Sequence, residues 1–237
     1  MTSGYFKKSF YITSALVFSF APCLTASLTA SAGKVPDDRY YEQGIRFYNA
    51  DDCSESEDLV VGGEAVISGT TAEEKVWSGL KSMGLTDEVT AGIMGNMAHE
   101  GNYFNPVQYE GSWLSVWEGG GFDWENNPAT GHGVGLTQWS GGRRVGIMKY
   151  LKERNSGLYE KYMLHPKTYS YANGNAYGVN GDKFIQLAGE ADADALYSLE
   201  ITFLVNEELK KDYGGVLNET TAEGAADWFL DHYEMPA

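Results

Sequence analysis

The sequence is short of basic residues and of cysteine. Lys and Arg total 17 against 33 Asp and Glu in 237 residues, which gives a formal net charge of -16. A chain this acidic is a poor partner for nucleic acid, whose phosphates are neutralised by Lys and Arg, and for an anionic membrane surface. Its two cysteines cannot build a disulfide framework, and no Cys/His spacing is typical of a zinc site. The sequence therefore predicts no nucleic-acid partner and no bound metal.

The remaining composition is that of a globular protein. Hydrophobic residues make up 43% of the chain and charged residues 21%, with 29 glycines. Disordered, collagen-like and fibrous chains have different proportions. A chain of this length can form one or two domains with their own cores.

Residues 1–32 have the pattern of a secretory signal peptide. Lys7 and Lys8 precede an apolar run at 10–20, and small residues end at Ala30-Ser31-Ala32. An uncleaved membrane anchor is the alternative, but the run is shorter than the roughly 20 apolar residues that a span requires. We expect cleavage, no stable membrane span afterwards, and a secreted or cell-envelope protein of bacterial type.

Residues 33–70 are predicted to be a flexible acidic arm or linker. Acidic side chains cluster at 51–58, and few apolar residues are periodic. An arm whose Tyr and Phe side chains pack on a domain or a partner is the open alternative. After cleavage Cys53 has no second cysteine in the chain, so it is either a free thiol or half of an intermolecular bridge. Cys53 and the arm are thus candidate partner contacts.

The remainder, residues 71–237, carries repeated helix signals. Thr71 followed by Glu74 is a capping box that predicts a helix start. Thr86 predicts a second start, and Glu100 followed by Gly101 predicts the end of that helix. Three further helices are predicted at about Arg143–Arg154, at about Asp192–Lys211, and from a second capping box of Thr220 and Glu223 to the residue before Pro236.

Two segments between these helices are predicted loops. Residues 102–142 are rich in Gly, Asn, Pro and Trp and are compatible with a small β-hairpin, and residues 165–181 are rich in Tyr, Asn and Gly. The predicted fold is therefore mainly α, a single helical domain at 71–237 with a small β-hairpin or loop region lining a cleft.

Glu100 is the first candidate catalytic residue. A helix C-terminus carries partial negative charge, which disfavours a carboxylate and raises its pKa, and apolar neighbours act in the same direction. A carboxylic acid that is protonated near neutral pH can act as a general acid toward a glycosidic oxygen. The alternative is a solvated Glu at a helix end. His99 is a candidate substrate contact that could tune Glu100. His99-Glu100 could also begin the zinc-binding motif of a metalloprotease, but that motif needs a second His at position 103. Position 103 is Tyr, which excludes a zinc protease.

The second candidate segment is glycine-rich. Three glycines at alternate positions, Gly131, Gly133 and Gly135, let a backbone lie close to a ligand. The segment lacks the GK[ST] of a phosphate loop. The Gln138 amide can pair with sugar hydroxyl or N-acetyl groups, and the Trp139 indole can cover an apolar sugar face. A Gly-rich hairpin with a core tryptophan is the structural alternative.

Together these motifs resemble a known family. Glu100-Gly101, after a helix containing Gly95-Asn96, is followed by Gly-x-Gly-Leu-Thr-Gln-Trp-Ser-Gly-Gly-Arg at 133–143. In this order they resemble the phage tail lysozyme domain of the lysozyme-like superfamily. Three later stretches are similar to its C-terminal helices: Leu199–Leu204, Glu207–Leu209 and Tyr233–Pro236. The resemblance covers about residues 72–236.

The resemblance implies an α+β lysozyme-like fold and a muramidase that cleaves peptidoglycan glycan strands without a cofactor. Glu100 aligns with the catalytic glutamate. Gln138 and Trp139 align with the cleft-lining segment, which includes Gly135, and Tyr233 is expected to line the cleft from the last helix.

The mechanism depends on a second carboxylate, because glycosidases normally use two. The predicted loop offers four: Glu110, Glu118, Asp123 and Glu125. Asp123 is the preferred candidate because its neighbours Phe122 and Trp124 could fix it in a cleft. If none of these carboxylates is correctly placed, the alternative is a lytic transglycosylase that uses Glu100 as its single acid and base. A non-catalytic glycan-binding module and a partner-interaction protein working through the acidic arm are the rival functions.

Overall fold

A computed structural model describes residues 63–110, 133–164 and 178–234. The predicted signal peptide, most of the acidic arm, Cys53 and Asp123 lie outside these residues, and so do Glu118 and Glu125.

Seven α-helices form the described part of the chain, which confirms the mainly α prediction. They are α1 (Ala72–Ser82), α2 (Asp87–Glu100), α3 (Gly141–Arg154), α4 (Ser156–Leu158), α5 (Gly181–Ala188), α6 (Glu190–Thr202) and α7 (Ala222–Trp228). Three of them continue as π-helical turns: α4 into Tyr159–Met163, α6 into Phe203–Leu209 and α7 into Phe229–Glu234. A 3-10 helix spans Gly214–Asn218. None of the described helices is both long and apolar enough to cross a lipid bilayer.

The first predicted capping box is confirmed. The Thr71 hydroxyl accepts from the Glu74 N–H at 3.2 Å, and the Glu74 carboxylate accepts from the Thr71 N–H at 3.1 Å. Each residue satisfies a backbone donor that a helix start would otherwise leave without a partner. Thr86 caps α2 through the Val89 N–H at 3.3 Å, as predicted.

The second predicted capping box is wrong by one residue. α7 is capped by Thr221, not Thr220, and the Thr221 hydroxyl accepts from the Gly224 N–H at 3.0 Å. The third helical position is therefore Gly224, and Glu223 falls one place too early to complete the box.

Helices α4 and α5 were not predicted. α5 has only eight residues, and its start is marked by Asn180, whose side chain accepts from the Lys183 N–H at 2.9 Å. Gly189 separates α5 from α6 with a φ of 87°, a left-handed conformation that favours glycine. α6 thus begins at Glu190, slightly before the predicted Asp192.

The segment 63–70 lies against α6, although the sequence places it in the acidic arm. Ala65 is buried, and its N–H donates to the Thr202 hydroxyl at 2.8 Å. Its carbonyl accepts from the Ser198 hydroxyl at 2.6 Å. The helical domain therefore includes chain that precedes the first capping box.

The helices bury a continuous apolar core that sets the position of α2. Members with no exposed surface come from α1, α2, α6 and the π turn after α7: Val76, Leu80, Ile93, Leu196, Phe229 and Tyr233. α2 and α7 are in very close contact, since a Cβ on Gly92 would lie 2.6 Å from both Ala225 Cβ and Ala226 N. The Asn96 amide also donates to the Ala226 carbonyl at 3.2 Å. This contact fixes the helix that ends at Glu100.

Candidate active site

Glu100 is the last residue of α2, as predicted, and its carboxyl reaches solvent. Gly101 is the C-cap, and its N–H donates to the Met97 carbonyl at 2.8 Å. The Glu100 side chain is 35% exposed, and its Oε1 lies 3.2 Å from His99 Nδ1. A general acid needs this combination of a fixed backbone and an accessible carboxyl.

Gly101 brings the two sequence motifs together. A Cβ at this position would lie 2.7 Å from the Leu136 carbonyl oxygen and 3.0 Å from that of Met97. Only a glycine allows the Gly133–Ser140 segment to approach the end of α2 this closely. The structure therefore places the glycine-rich segment directly beside Glu100.

The glycine-rich segment forms a tight turn with a minimal β interaction. Tyr109 and Val134 form an antiparallel bridge. Val134 and Trp139 exchange both backbone hydrogen bonds, at 3.1 and 2.8 Å, around the turn 135–138. Within the described residues, the predicted small hairpin is limited to this bridge and turn.

Gly135 allows close packing behind the turn. It has a φ of 77°, and a Cβ there would lie 2.8 Å from the Trp139 ring and 2.9 Å from Glu200 Oε2. The Gln138 amide group donates to the carbonyls of Gly135, at 3.0 Å, and Gln108, at 3.2 Å. Both residues, predicted as substrate contacts, therefore shape the turn whose Leu136 carbonyl approaches Gly101.

Trp139 is fully buried, so the sugar platform expected from the sequence gives way to the alternative of a core tryptophan. Its ring packs edge-on against Phe203, with centroids 5.8 Å apart. Its indole N–H donates to Glu208 Oε2 at 2.7 Å. Trp139 therefore packs in the core, where its ring lies close to Gly135 of the turn.

Tyr233 is also fully buried and shares the same acceptor. Its hydroxyl donates to Glu208 Oε2 and lies 3.3 Å from the Thr137 hydroxyl. Burial raises the pKa of Glu208, and the hydrogen bonds from Tyr233 and Trp139 oppose that shift. Glu208 therefore accepts hydrogen bonds from two predicted site residues. The sequence indicates it only as part of Glu207–Leu209, a stretch similar to the family's C-terminal helices.

Glu234 is a second carboxyl that the structure relates to Glu100. Burial raises the pKa of Glu234 to about 8. Arg143 opposes the shift, whereas the negative charges of Glu100 and Glu208 increase it. The Arg143 guanidinium lies over the Tyr233 ring, 4.3 Å from its centroid. Glu234 was not among the predicted carboxyls, because its proximity to α2 arises from the packing of α7.

The described residues contain no group of three His, Cys, Asp or Glu side chains placed to hold a metal ion. What the site offers is a solvent-accessible carboxyl, a partly buried carboxyl and a tight turn.

A mainly helical domain with an accessible glutamate at a helix end, beside a glycine-rich turn, is consistent with a lysozyme-like protein. The family model for phage tail lysozyme matches residues 71–237, and the chain belongs to that family. No curated protein and no solved structure matches the chain. Membership of the family supports a lysozyme-like, peptidoglycan-cleaving function in general terms.

Proposed function

We propose that the protein is an exported muramidase that cleaves the β-1,4 bond between N-acetylmuramic acid and N-acetylglucosamine. The observation that carries this proposal is the position of Glu100. Its carboxyl is partly exposed at the end of α2, where Gly101 contacts the glycine-rich turn. The family match supports peptidoglycan as the substrate.

In the proposed reaction, Glu100 donates its proton to the glycosidic oxygen. The C1–O bond breaks with its electron pair going to that oxygen, and an oxocarbenium-like centre forms at C1. Water then attacks C1 and loses a proton to a carboxylate. The contact of His99 with Glu100, at 3.2 Å, would hold the carboxyl in position.

The second carboxylate of this mechanism remains Asp123 in our proposal. A base or nucleophile must be ionised at the working pH. Burial raises the pKa of Glu234 to about 8, so this carboxyl would be mostly protonated near pH 7, which disfavours it as the base or nucleophile. If Asp123 is not the partner, the C6 hydroxyl of the substrate would attack C1 and lose its proton to the Glu100 carboxylate, which is the lytic transglycosylase reaction.

The substitution Glu100→Gln tests the assignment. It keeps the shape of the side chain but has no acidic proton, so we expect peptidoglycan cleavage to fall about 100-fold or more while glycan binding is retained. Glu207→Gln, at a similarly part-exposed Glu on the π turn after α6, is the matched control. Unchanged cleavage by the Glu100 variant would remove this residue from the mechanism.

Mass analysis of the released muropeptides separates the two enzymes. Reducing ends indicate hydrolysis, and 1,6-anhydro ends indicate transglycosylation. A parent protein that binds glycan but releases no muropeptide would instead be a non-catalytic binding module.

Export is a separate part of the proposal. Cleavage after Ala32 would give a mature protein beginning at Gly33, found in the medium or cell envelope. N-terminal sequencing of the exported protein tests this directly. A dimer on a non-reducing gel that is absent in Cys53→Ser would support the partner contact through Cys53.

A further inference from the structure

The chain leaves Glu100 through an unusual left-handed turn. After Gly101, three consecutive non-glycine residues have positive φ: Asn102 at 47°, Tyr103 at 53° and Phe104 at 65°. L-residues rarely adopt this region, and aromatic residues with a positive φ are outliers. Such conformations persist only where the surroundings determine them, and they cluster at functional sites.

Contacts from α5, α6 and the chain before α5 hold this turn. The Gly181 N–H donates to the Tyr103 carbonyl at 2.8 Å, and the Tyr197 hydroxyl donates to the Phe104 carbonyl at 2.8 Å. The Asn102 amide donates to the Val179 carbonyl at 3.1 Å. The carbonyl oxygens of Phe104 and Tyr103 also lie close to Gly181, where an added Cβ would be 2.6 and 2.7 Å from them. The turn is therefore fixed before any ligand arrives.

The turn sends its two aromatic rings to different environments. Phe104 is buried in the core, whereas Tyr103 is 50% exposed. Tyr103 lines a cavity of about 140 Å³ together with Ala98, His99 and Asn102. Since His99 also contacts the Glu100 carboxyl, this cavity adjoins the proposed catalytic acid.

We propose that Tyr103 is the aromatic platform of a sugar subsite beside Glu100, occupied by a β-1,4-linked N-acetylhexosamine. This inference rests on the muramidase function proposed above. An aromatic face covers the apolar face of a pyranose, and the imidazole of His99 can hydrogen-bond to a hydroxyl. A ring carried on a backbone that is fixed in advance has fewer conformations to lose when the sugar binds, which accounts for a strained turn at this position. Tyr103 thereby takes the role that the sequence suggested for Trp139.

The decisive variants are Tyr103→Asn and Tyr103→Phe, made in the Glu100→Gln protein so that binding is measured without cleavage. Asn is enriched several-fold at positive φ, so Tyr103→Asn removes the ring without adding backbone strain. Tyr103→Phe keeps the ring and removes the hydroxyl. Val66→Ala, at an exposed apolar side chain on the 63–70 segment, is the control. Calorimetry with chitotetraose, a soluble β-1,4 oligomer of N-acetylglucosamine, gives Kd, and thermal melting gives Tm.

We expect Tyr103→Asn to weaken chitotetraose binding about tenfold, at a Tm no lower than that of the Glu100→Gln protein. Tyr103→Phe should retain most of the affinity, and Val66→Ala all of it. Binding by Tyr103→Asn as tight as that of the Glu100→Gln protein would overturn the subsite and leave the muramidase proposal intact. An equal loss in Tyr103→Phe would overturn the role of the ring. If the Glu100→Gln protein binds neither chitotetraose nor purified peptidoglycan, the proposed function itself fails, and the subsite with it.

Discussion

The indole N–H of Trp139 donates to Glu208 Oε2 at 2.7 Å, entirely inside the protein. The Tyr233 hydroxyl donates to the same oxygen. One carboxyl therefore connects the turn beside Glu100, the π turn after α6 and the π turn after α7. Trp139 and Tyr233, which the sequence suggested as substrate contacts, are both buried and donate to the same Glu208 oxygen. Through Glu208 they stabilise the turn beside the end of α2.

Glu208→Ala should destabilise the protein strongly. The substitution leaves two buried donors, the Trp139 indole and the Tyr233 hydroxyl, without their acceptor, and we expect a loss of about 2–4 kcal/mol in the free energy of unfolding. Urea denaturation measures it. Glu207→Ala is the matched control, because Glu207 pairs at the surface with Lys211 and should cost under about 1 kcal/mol. Similar losses in the two variants would contradict the role of Glu208.

Gly92→Ala should separate α2 from α7. The added methyl would lie 2.6 Å from Ala225 Cβ, and the neighbouring backbone of α7 cannot move aside as a flexible side chain could. We expect a loss of about 1–3 kcal/mol or more in unfolding free energy, together with lower cleavage, because Glu100 lies at the end of the displaced helix.

Gly142→Ala provides the contrast for that experiment. A Cβ there has no neighbour within 4 Å, so the change should stabilise α3 by up to about 1 kcal/mol. Thermal melting should give a lower Tm for Gly92→Ala and a Tm for Gly142→Ala at or above that of the parent. A stable Gly92→Ala protein with parental activity would mean that the α2–α7 contact can relax.

Local signals were sufficient for part of this structure. The capping box of Thr71 and the end of α2 at Glu100 depend on residues a few positions apart, so a sequence can specify them. The burial of Trp139 depends on Glu208, 69 residues away. The position of Glu234 depends on the close contact of Gly92 with α7. Neither long-range contact has a periodic signature, and the π turns that carry Glu208 and Glu234 have none either.

Activity should depend only weakly on salt. Long-range attraction brings a basic protein to an anionic wall and is screened as ionic strength rises, but this chain has a formal net charge of -16. We expect cleavage of purified cell walls to fall little between about 50 and 200 mM salt, where the Debye length shortens below about 10 Å. A steep loss in the parent protein would show that local basic groups govern binding.

Glu234 should make the protein less stable as pH rises. Its pKa is raised from an ordinary value of 4.5 to about 8, chiefly by burial. Below pH 4.5 both the folded and unfolded chains hold the proton, and the contribution to stability is complete. Between 4.5 and about 8 the folded protein holds a proton that the unfolded chain has released, so stability falls with rising pH. The total loss is on the order of a few kcal/mol.

Glu234→Gln isolates this effect, because an amide is neutral at every pH. The unfolding free energies of the variant and the parent are measured by urea denaturation from pH 5 to pH 9. The difference, variant minus parent, should increase as pH rises and become constant above about pH 8. The buried carboxyls of Glu200 and Glu208 also have raised pKa values, but they are present in both proteins and largely cancel in the difference. Parallel curves across this range would mean that the Glu234 carboxyl is already ionised in the folded protein. It would then be an ionised carboxyl close to Glu100, which would reopen its candidacy as the second carboxylate.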